Sequence, residues 1–140
     1  MRGFEAATVI DASPEAVWRI LIDLAGYPAW DSGVERVEGQ IAPGARITVY
    51  ATVAKGRAFP VTVTRLEPPR EMRWASGMPL GLFKGERTFS LNGSGSQVRF
   101  SMREEYTGLL APLIFRSIPD LNASFRQFVN GLKQKAEGGT

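Results

Sequence analysis

The alternation of apolar and polar side chains at the start of the chain predicts a half-buried β-strand over residues 4–11. The segment after this strand has the signature of a helix start, with Ser13 as the N-cap and Pro14 at the first helical position. Apolar residues then recur at helical spacing until Pro28 interrupts the pattern. We expect a second, short helical turn over residues 27–31.

The middle of the chain repeats the strand pattern, with short links rich in Gly, Pro and Ser between the repeats. The pattern predicts six further strands, at residues 34–39, 46–53, 57–67, 70–76, 82–91 and 96–106. Short links join consecutive antiparallel strands, so these strands are expected to form a meander. The clearest link is "EPPRE" at 67–71, because its two prolines fix φ and remove two backbone donors.

The last segment has the periodicity of a long amphipathic helix. Its apolar stripe steps by three or four residues along Ile114, Ile118, Leu121, Phe125, Phe128 and Leu132. Pro119 lacks a backbone N–H and is expected to kink or split this helix near residues 116–119.

These elements together predict one α+β domain over residues 1–140. A seven-stranded antiparallel sheet with one apolar face needs a cover, and only the C-terminal helix is long enough to supply it. The sheet is expected to curve around that helix, with two short helices between the first two strands. A sheet of this kind does not always fill its own interior, so we expect a cavity between sheet and helix.

The composition narrows the chemistry that this chain can perform. The 140 residues include no cysteine and no histidine. Disulfides and thiolate catalysis are therefore excluded, and the commonest general base and zinc ligand are missing. We expect no metal and no cofactor, and any chemistry must come from carboxylates, Lys, Arg, Tyr, Ser or Thr.

The charge pattern favours a solvated surface. The net charge is +3, and the basic residues are scattered along the chain, so no nucleic-acid partner is expected. The N-terminus lacks the apolar core of a signal peptide. The longest apolar run, 109–115, is far shorter than the ~20 residues that cross a bilayer. We therefore expect a cytoplasmic protein without membrane insertion, as a monomer or a homodimer.

Four stretches, which span nearly the whole chain, resemble the START-related superfamily (SRPBCC), which includes the birch-pollen-allergen-like proteins. They are "IDASPEAVWRILIDLAGYPAWDSGV" (10–34), "RLEPPREMRW" (65–74), "GERTFSLNGSGSQVRFSMREEYTG" (85–108) and "FRQFVNGLKQKAE" (125–137). Within the superfamily, the chain looks most like the bacterial polyketide cyclase/dehydrase and lipid-transport branch. The resemblance implies the helix-grip fold, but this scaffold hosts many activities.

The parity of positions along the strands assigns several large side chains to the inner face of the sheet. They are Met72, Trp74, Phe83, Phe89, Phe100 and Met102. Each of them fits a packed core, and together they fit an apolar ligand pocket. The methionines add the adaptability that suits an irregular ligand. All six are therefore candidate ligand-binding residues.

Two aromatic residues lie in the link between the first helix and the second strand. Trp30 is predicted to be a hydrophobic plug that holds this link against the core. Tyr27 carries a hydroxyl group and is expected nearer to the rim of the cavity. Both are also candidate ligand contacts.

Arg87 and Glu104 are charged residues at positions that parity assigns to the apolar face. A charge there must be paired, solvated or functional. If "NGSG" at 92–95 closes the hairpin, Arg87 lies across from residues 100–102 and Glu104 is a diagonal neighbour. Two interpretations stay open: an ion pair near the rim of the sheet, or a polar anchor that orients a ligand. Tyr106 joins them as a candidate catalytic residue.

Three function classes follow from these observations. The first is binding of a hydrophobic small molecule, such as a lipid, a polyketide or an aromatic metabolite, in the cavity. The second is an enzyme resembling aromatase/cyclases, in which Arg87 stabilises an enolate oxygen and Glu104 or Tyr106 moves protons. The third is a co-chaperone or assembly factor, which would use an exposed apolar patch.

Overall fold

A computed structural model of the chain describes residues 2–52 and 57–138. In chain order its elements are β1 (Gly3–Ile10), α1 (Pro14–Ile22), a 3₁₀ helix (Leu24–Ala29), β2 (Val34–Glu38), β3 (Arg46–Ala51), β4 (Phe59–Glu67), β5 (Glu71–Met78), β6 (Phe83–Ser94), β7 (Gln97–Thr107), α2 (Ala111–Phe115) and α3 (Asn122–Gly138). This order confirms the predicted α+β architecture. The predicted turn at 54–56 and the last residue of the predicted strand 46–53 lie outside the described residues.

The strands form one curved antiparallel sheet in the order β1-β7-β6-β5-β4-β3-β2. Strands β2 to β7 are thus the predicted meander, and β1 pairs with β7 at the other end. Helix α3 packs on the concave face, where the Phe125 ring lies 5.9 Å from that of Phe4, and the Phe128 ring 5.9 Å from that of Phe89. Among the described residues, none of the helices is long and apolar enough to cross a membrane.

Helix α1 begins as its sequence predicts. The Ser13 hydroxyl accepts a hydrogen bond from the Ala16 amide at 3.1 Å, and Pro14 occupies the first helical position. The expected helical turn over 27–31 lies earlier, as the 3₁₀ helix Leu24–Ala29. It follows α1 directly, and its first hydrogen bond runs from the Gly26 amide to the Asp23 carbonyl at 3.1 Å.

The C-terminal helix is split, as Pro119 predicts. Helix α2 ends at Phe115 and α3 begins at Asn122. Between them the chain makes tight turns, in which the Ser117 amide donates to the Ile114 carbonyl at 2.9 Å. Proline has no amide hydrogen and its ring clashes with the preceding turn, which accounts for the interruption of the helix here.

The β6–β7 hairpin differs from the predicted one in its register. Its last pair is Ser94 with Gln97, so the turn consists of Gly95 and Ser96 and not of the four residues 92–95. Gly95 has a φ of +71°, which suits a two-residue hairpin turn. Arg87 therefore pairs directly with Glu104, and the expected diagonal relationship is wrong.

Candidate functional site

A cavity of about 420 Å³ lies between the concave face of the sheet and the C-terminal helices. The sheet contributes apolar side chains such as those of Val61 and Met102, and α3 contributes Phe125 and Phe128. This volume lies within the range of about 300–1,000 Å³ that small-molecule sites occupy. The expected cavity is thus present.

The break between α2 and α3 forms one end of the cavity. Lining residues from the end of α2 to the start of α3 are Ile114, Ser117, Ile118, Pro119, Leu121 and Ser124. Because α3 begins only at Asn122, an irregular segment and not a packed helix covers this end of the sheet. The cavity therefore lies where the helical cover is interrupted.

The structure brings six of the predicted site residues to the cavity wall. They are Trp74, Phe83, Arg87, Met102, Glu104 and Tyr106. All six lie on β5, β6 and β7, on the face that parity assigns to the interior. Whether each one contacts a ligand stays a prediction.

Met72, Phe89 and Phe100 share that face but are not among the described residues that line the cavity. All three are completely buried. Helix α3 covers Phe89 and Phe100, since the Phe128 ring packs 5.9 Å from Phe89 and 6.3 Å from Phe100. The inner face of the sheet is thus divided into a packed half under α3 and an open half under the helix break.

Tyr27 and Trp30 are also not among the described lining residues. The Tyr27 side chain is 1% exposed, and its hydroxyl donates to the Leu21 carbonyl at 2.6 Å. The expectation that Tyr27 reaches the rim is wrong, because this backbone carbonyl satisfies the hydroxyl inside the core. Trp30 packs against Tyr27 and Phe128, at ring distances of 5.3 and 5.1 Å, as a plug would.

The segment between the 3₁₀ helix and β2 contains Trp30 and is called the Trp30 link (residues 30–33). It lies close to α3 because Gly131 has no side chain. A Cβ at Gly131 would lie 2.1 Å from the Asp31 carbonyl oxygen and 3.2 Å from a Trp30 ring carbon. The Gln127 side chain reinforces this contact by donating to the Asp31 carboxylate at 2.6 Å. This part of the structure is therefore a packed junction between helix and link.

Several lining residues were not singled out from the sequence. They lie on the first strands of the meander and in the helix break, and include Val49, Ala51, Phe59, Val61 and Ile118. The parity rule that selected Trp74 would have selected the alternating pairs on β3 and β4. For the helix break the available signal was Pro119, which predicts an interruption but not what fills it.

The polar centre of the cavity wall is a cluster of Arg87, Glu104 and Tyr106. Arg87 Nη2 donates to Glu104 Oε2 at 3.2 Å, and the Tyr106 hydroxyl donates to the same oxygen at 2.5 Å. The Arg87 and Glu104 side chains are 24% and 16% exposed. Burial, and secondarily the Glu104 charge, raises the pKa of Tyr106 well above its ordinary value of 10.0. Tyr106 therefore keeps its proton and acts as a donor to Glu104.

Two neighbours hold this cluster in place. The Arg87 Cζ lies 4.8 Å from the centre of the Phe125 ring, a cation–π contact between the sheet and α3. Gly85 pairs with Tyr106 across the hairpin, and a Cβ on Gly85 would lie 3.3 Å from the Tyr106 ring. The absence of a side chain on Gly85 thus leaves room for the Tyr106 ring, whose hydroxyl donates to Glu104.

Two buried donors at this wall have no hydrogen-bond partner among the described residues, Trp74 Nε1 and Arg87 Nε. Trp74 and Arg87 are direct partners on neighbouring strands. A row of paired residues thus crosses the sheet from Val63 through Trp74 and Arg87 to Glu104. Within residues 2–52 and 57–138, acidic side chains do not gather in a group that would hold a metal ion.

The model of one protein family, described as polyketide cyclase/dehydrase and lipid transport, matches residues 1–137. The chain belongs to this family. The resemblance drawn from the sequence is thus confirmed. No curated protein matches the chain in a sequence comparison.

Several solved structures share the fold of this member of the polyketide cyclase/dehydrase family at low sequence identity. The Zhui aromatase/cyclase from Streptomyces is 17% identical, with a TM-score of 0.72 over 97% of this chain and 93% of that one. A START superfamily protein from Mycobacterium smegmatis is 14% identical, with a TM-score of 0.72 over 99% of both chains. The di-domain ARO/CYC BexL is 19% identical, with a TM-score of 0.68. The match covers 98% of this chain but only 47% of BexL.

Proposed function

We propose that this protein binds a hydrophobic small molecule in the cavity between the sheet and the C-terminal helices. The observation that carries the proposal is a cavity of about 420 Å³ whose wall is largely apolar but contains one polar cluster. Membership of the polyketide cyclase/dehydrase and lipid-transport family supports a ligand of this class. Affinity comes from removing the apolar body of the ligand from water.

The polar cluster gives the ligand its orientation. Arg87 and Glu104 are the charged residues of the wall that lie deep in the sheet, while the third charged lining residue, Arg57, is exposed. A ligand with one polar end lies with that end at Arg87 and with its apolar body against Phe59, Val61 and the helix break. This arrangement matches apolar and polar surfaces without leaving a charge unpaired.

Filling the cavity tests the proposal directly. Ala51 lines the cavity, and Ala51→Phe places a ring inside it. The matched control is Ala7→Phe, which adds the same ring on the exposed face of β1. We expect Ala51→Phe to weaken binding of the apolar dye Nile red at least about tenfold, a change of ~1.4 kcal/mol, and Ala7→Phe to have no effect. Equal effects of the two variants would remove the cavity as the binding site.

Native mass spectrometry of the freshly purified protein provides a second, independent readout. A copurified small molecule is expected on the wild-type chain and is expected to be lost from Ala51→Phe. Its mass would also identify the ligand class.

An aromatase/cyclase-like activity is the second candidate, and the position of Arg87 at the cavity wall favours it. A guanidinium there is suited to stabilise an enolate oxygen. The raised pKa of Tyr106 opposes a role in proton transfer, which leaves Glu104 as the base. The test is turnover of a polyketide substrate by Arg87→Ala, whose folding is checked by circular dichroism. A folded variant with unchanged turnover would remove Arg87 from the mechanism.

The partner-binding alternative rests on a different surface. Leu80 is 94% exposed, and Leu109 and Leu113 are exposed as well. The Leu109 amide donates to the Gly81 carbonyl at 3.1 Å, so the loops after β5 and β7 lie side by side. Leu80 has a φ of 63°, a left-handed conformation that costs a leucine free energy, so stability does not explain this residue. This alternative becomes the favoured one if Ala51→Phe leaves Nile red binding unchanged and no small molecule copurifies.

A further inference from the structure

Several polar oxygens of the cavity wall already take part in hydrogen bonds within the protein. Glu104 Oε2 already accepts from Arg87 Nη2 and from the Tyr106 hydroxyl. The Ser32 hydroxyl donates to the Tyr27 carbonyl at 2.8 Å, and the Ser117 hydroxyl donates to the Ile114 carbonyl at 2.7 Å. These side-chain oxygens are engaged inside the protein.

Two buried polar atoms in this wall, Trp74 Nε1 and Arg87 Nε, have no hydrogen-bond partner among the described residues. Each of the two atoms can only donate a hydrogen bond. A buried donor without a partner is costly and is rare in folded proteins. Two such donors in one cavity wall therefore call for a common explanation.

The positions of the two donors supply that explanation. Trp74 and Arg87 are direct partners across β5 and β6, and both line the cavity. Side chains paired in this way have Cβ atoms about 4.5–5.5 Å apart. Arg87 is held by its bond to Glu104 and by the Phe125 ring, and the Trp74 ring packs 4.8 Å from that of Phe89. The two side chains are thus held in place, at directly paired positions of one wall, before any ligand arrives.

We propose that Trp74 Nε1 and Arg87 Nε form a two-donor subsite that binds an acceptor oxygen of the ligand, so that the ligand is an apolar molecule carrying a carbonyl or carboxylate oxygen at one end. This inference rests on the proposed binding function. A carbonyl or carboxylate oxygen has no hydrogen of its own and accepts both bonds. A ligand that is hydrocarbon throughout leaves both donors unpaired.

The test compares 9-fluorenone with fluorene, two rigid molecules of nearly the same shape that differ by a carbonyl group in place of a methylene group. Dissociation constants are measured by displacement of Nile red from the full chain. For each variant, the dissociation constant of fluorene is divided by that of 9-fluorenone, which gives the preference for the ketone. This ratio is compared between wild type and Trp74→Phe. The difference in hydration between the two probes is the same for both proteins and therefore cancels. We expect Trp74→Phe to reduce the preference for the ketone about tenfold.

Two further variants complete the experiment. Arg87→Lys keeps the positive charge beside Glu104 but removes Nε, and it is expected to reduce the ketone preference as Trp74→Phe does. Ala7→Phe, on the exposed face of β1 and outside the described lining of the cavity, is expected to leave the ratio unchanged. Arg87→Lys decides the question if Trp74→Phe does not fold.

The outcomes separate this inference from the function on which it rests. If fluorene and 9-fluorenone both displace Nile red and the ratio is the same in wild type, Trp74→Phe and Arg87→Lys, the two-donor subsite is wrong while cavity binding stands. If neither probe displaces Nile red, the cavity does not bind apolar molecules of this size, and the subsite fails together with the proposed function.

Discussion

Glu104 lies directly opposite Arg87 on the neighbouring strand, and a single oxygen of its carboxylate accepts hydrogen bonds from both Arg87 and Tyr106. The pair is more buried than the other ion pairs of the described residues. Its two partners therefore depend on each other, because removing one leaves the other as a poorly solvated charge. The first two predictions follow from this dependence.

Glu104→Gln is expected to destabilise the protein by about 1–3 kcal/mol, because it leaves the Arg87 charge without a counter-ion. This value is lower than for a fully buried pair, since the side chains retain some contact with solvent. Urea unfolding measures the change. The matched control is the same substitution at the next residue, Glu105, whose pair with Arg103 is about half exposed, and which should change stability by less than about 0.5 kcal/mol. Equal losses would mean that burial of the pair is irrelevant.

Tyr106→Phe removes one hydroxyl that donates to Glu104 and keeps the ring over Gly85. We expect a loss of about 1–2 kcal/mol in the free energy of unfolding, as for a hydrogen bond to a charged group in a partly buried site. Tyr50→Phe is the control, because the Tyr50 hydroxyl donates to Glu38 at an exposed site and its loss should cost less than about 0.5 kcal/mol. A Tyr106→Phe variant as stable as wild type would show that this hydroxyl does not support the cluster.

Gly131→Ala tests the junction between α3 and the Trp30 link. By helix propensity alone, alanine should stabilise a helix by about 1 kcal/mol relative to glycine. We expect the opposite sign, a destabilisation of about 1–3 kcal/mol, because the added carbon collides with the Asp31 backbone. Asn130→Ala, on the exposed face of the same helix, should be neutral or slightly stabilising. A thermal unfolding midpoint that rises in Gly131→Ala would contradict the close contact.

The acid dependence of stability is expected to depend in part on Glu137. Its carboxylate accepts from the Asp11 amide at 2.8 Å and from Lys133 at 2.6 Å. The Asp11 hydrogen bond, and secondarily the Lys133 bond, lowers the pKa of Glu137 below its ordinary value of 4.5. A carboxylate with a lowered pKa in the folded state adds stability above the unfolded-state pKa, and this contribution is lost as the pH falls through the folded-state value.

Glu137→Gln should therefore lower the urea midpoint at neutral pH. The difference from wild type should disappear at acidic pH, where the carboxyl group is protonated in both the folded and the unfolded chain. A deficit of the same size at both pH values would mean that the hydrogen-bond geometry, and not the charge, determines the effect.

Much of the fold was predictable because it follows from periodicity and from residues with restricted backbones. Ser13 and Pro14 located the start of α1, and Pro119 located the break in the C-terminal helix. Parity along the strands identified the inner face correctly, including the unexpected positions of Arg87 and Glu104. These are local signals, which a single sequence contains in full.

The remaining features depend on which of several possible contacts the chain makes, and periodicity does not decide between them. The register of the β6–β7 hairpin follows from a two-residue turn at Gly95, and the neighbouring glycine at 93 made another turn equally consistent with the sequence. The position of Tyr27 depends on a carbonyl of α1 that reaches its hydroxyl. Which half of the inner face stays open depends on where α3 begins to cover it.

The break between α2 and α3 also has a consequence for how stability is distributed around the cavity. Helix α2 has five residues, far fewer than the ~12–15 that an isolated helix needs in water. It is therefore held by its contacts with β7 and not by its own hydrogen bonds. Segments of this kind open locally at a lower free energy than the strands of a central sheet. The cavity thus has one wall that unfolds only with the whole protein and one wall whose opening is a local event.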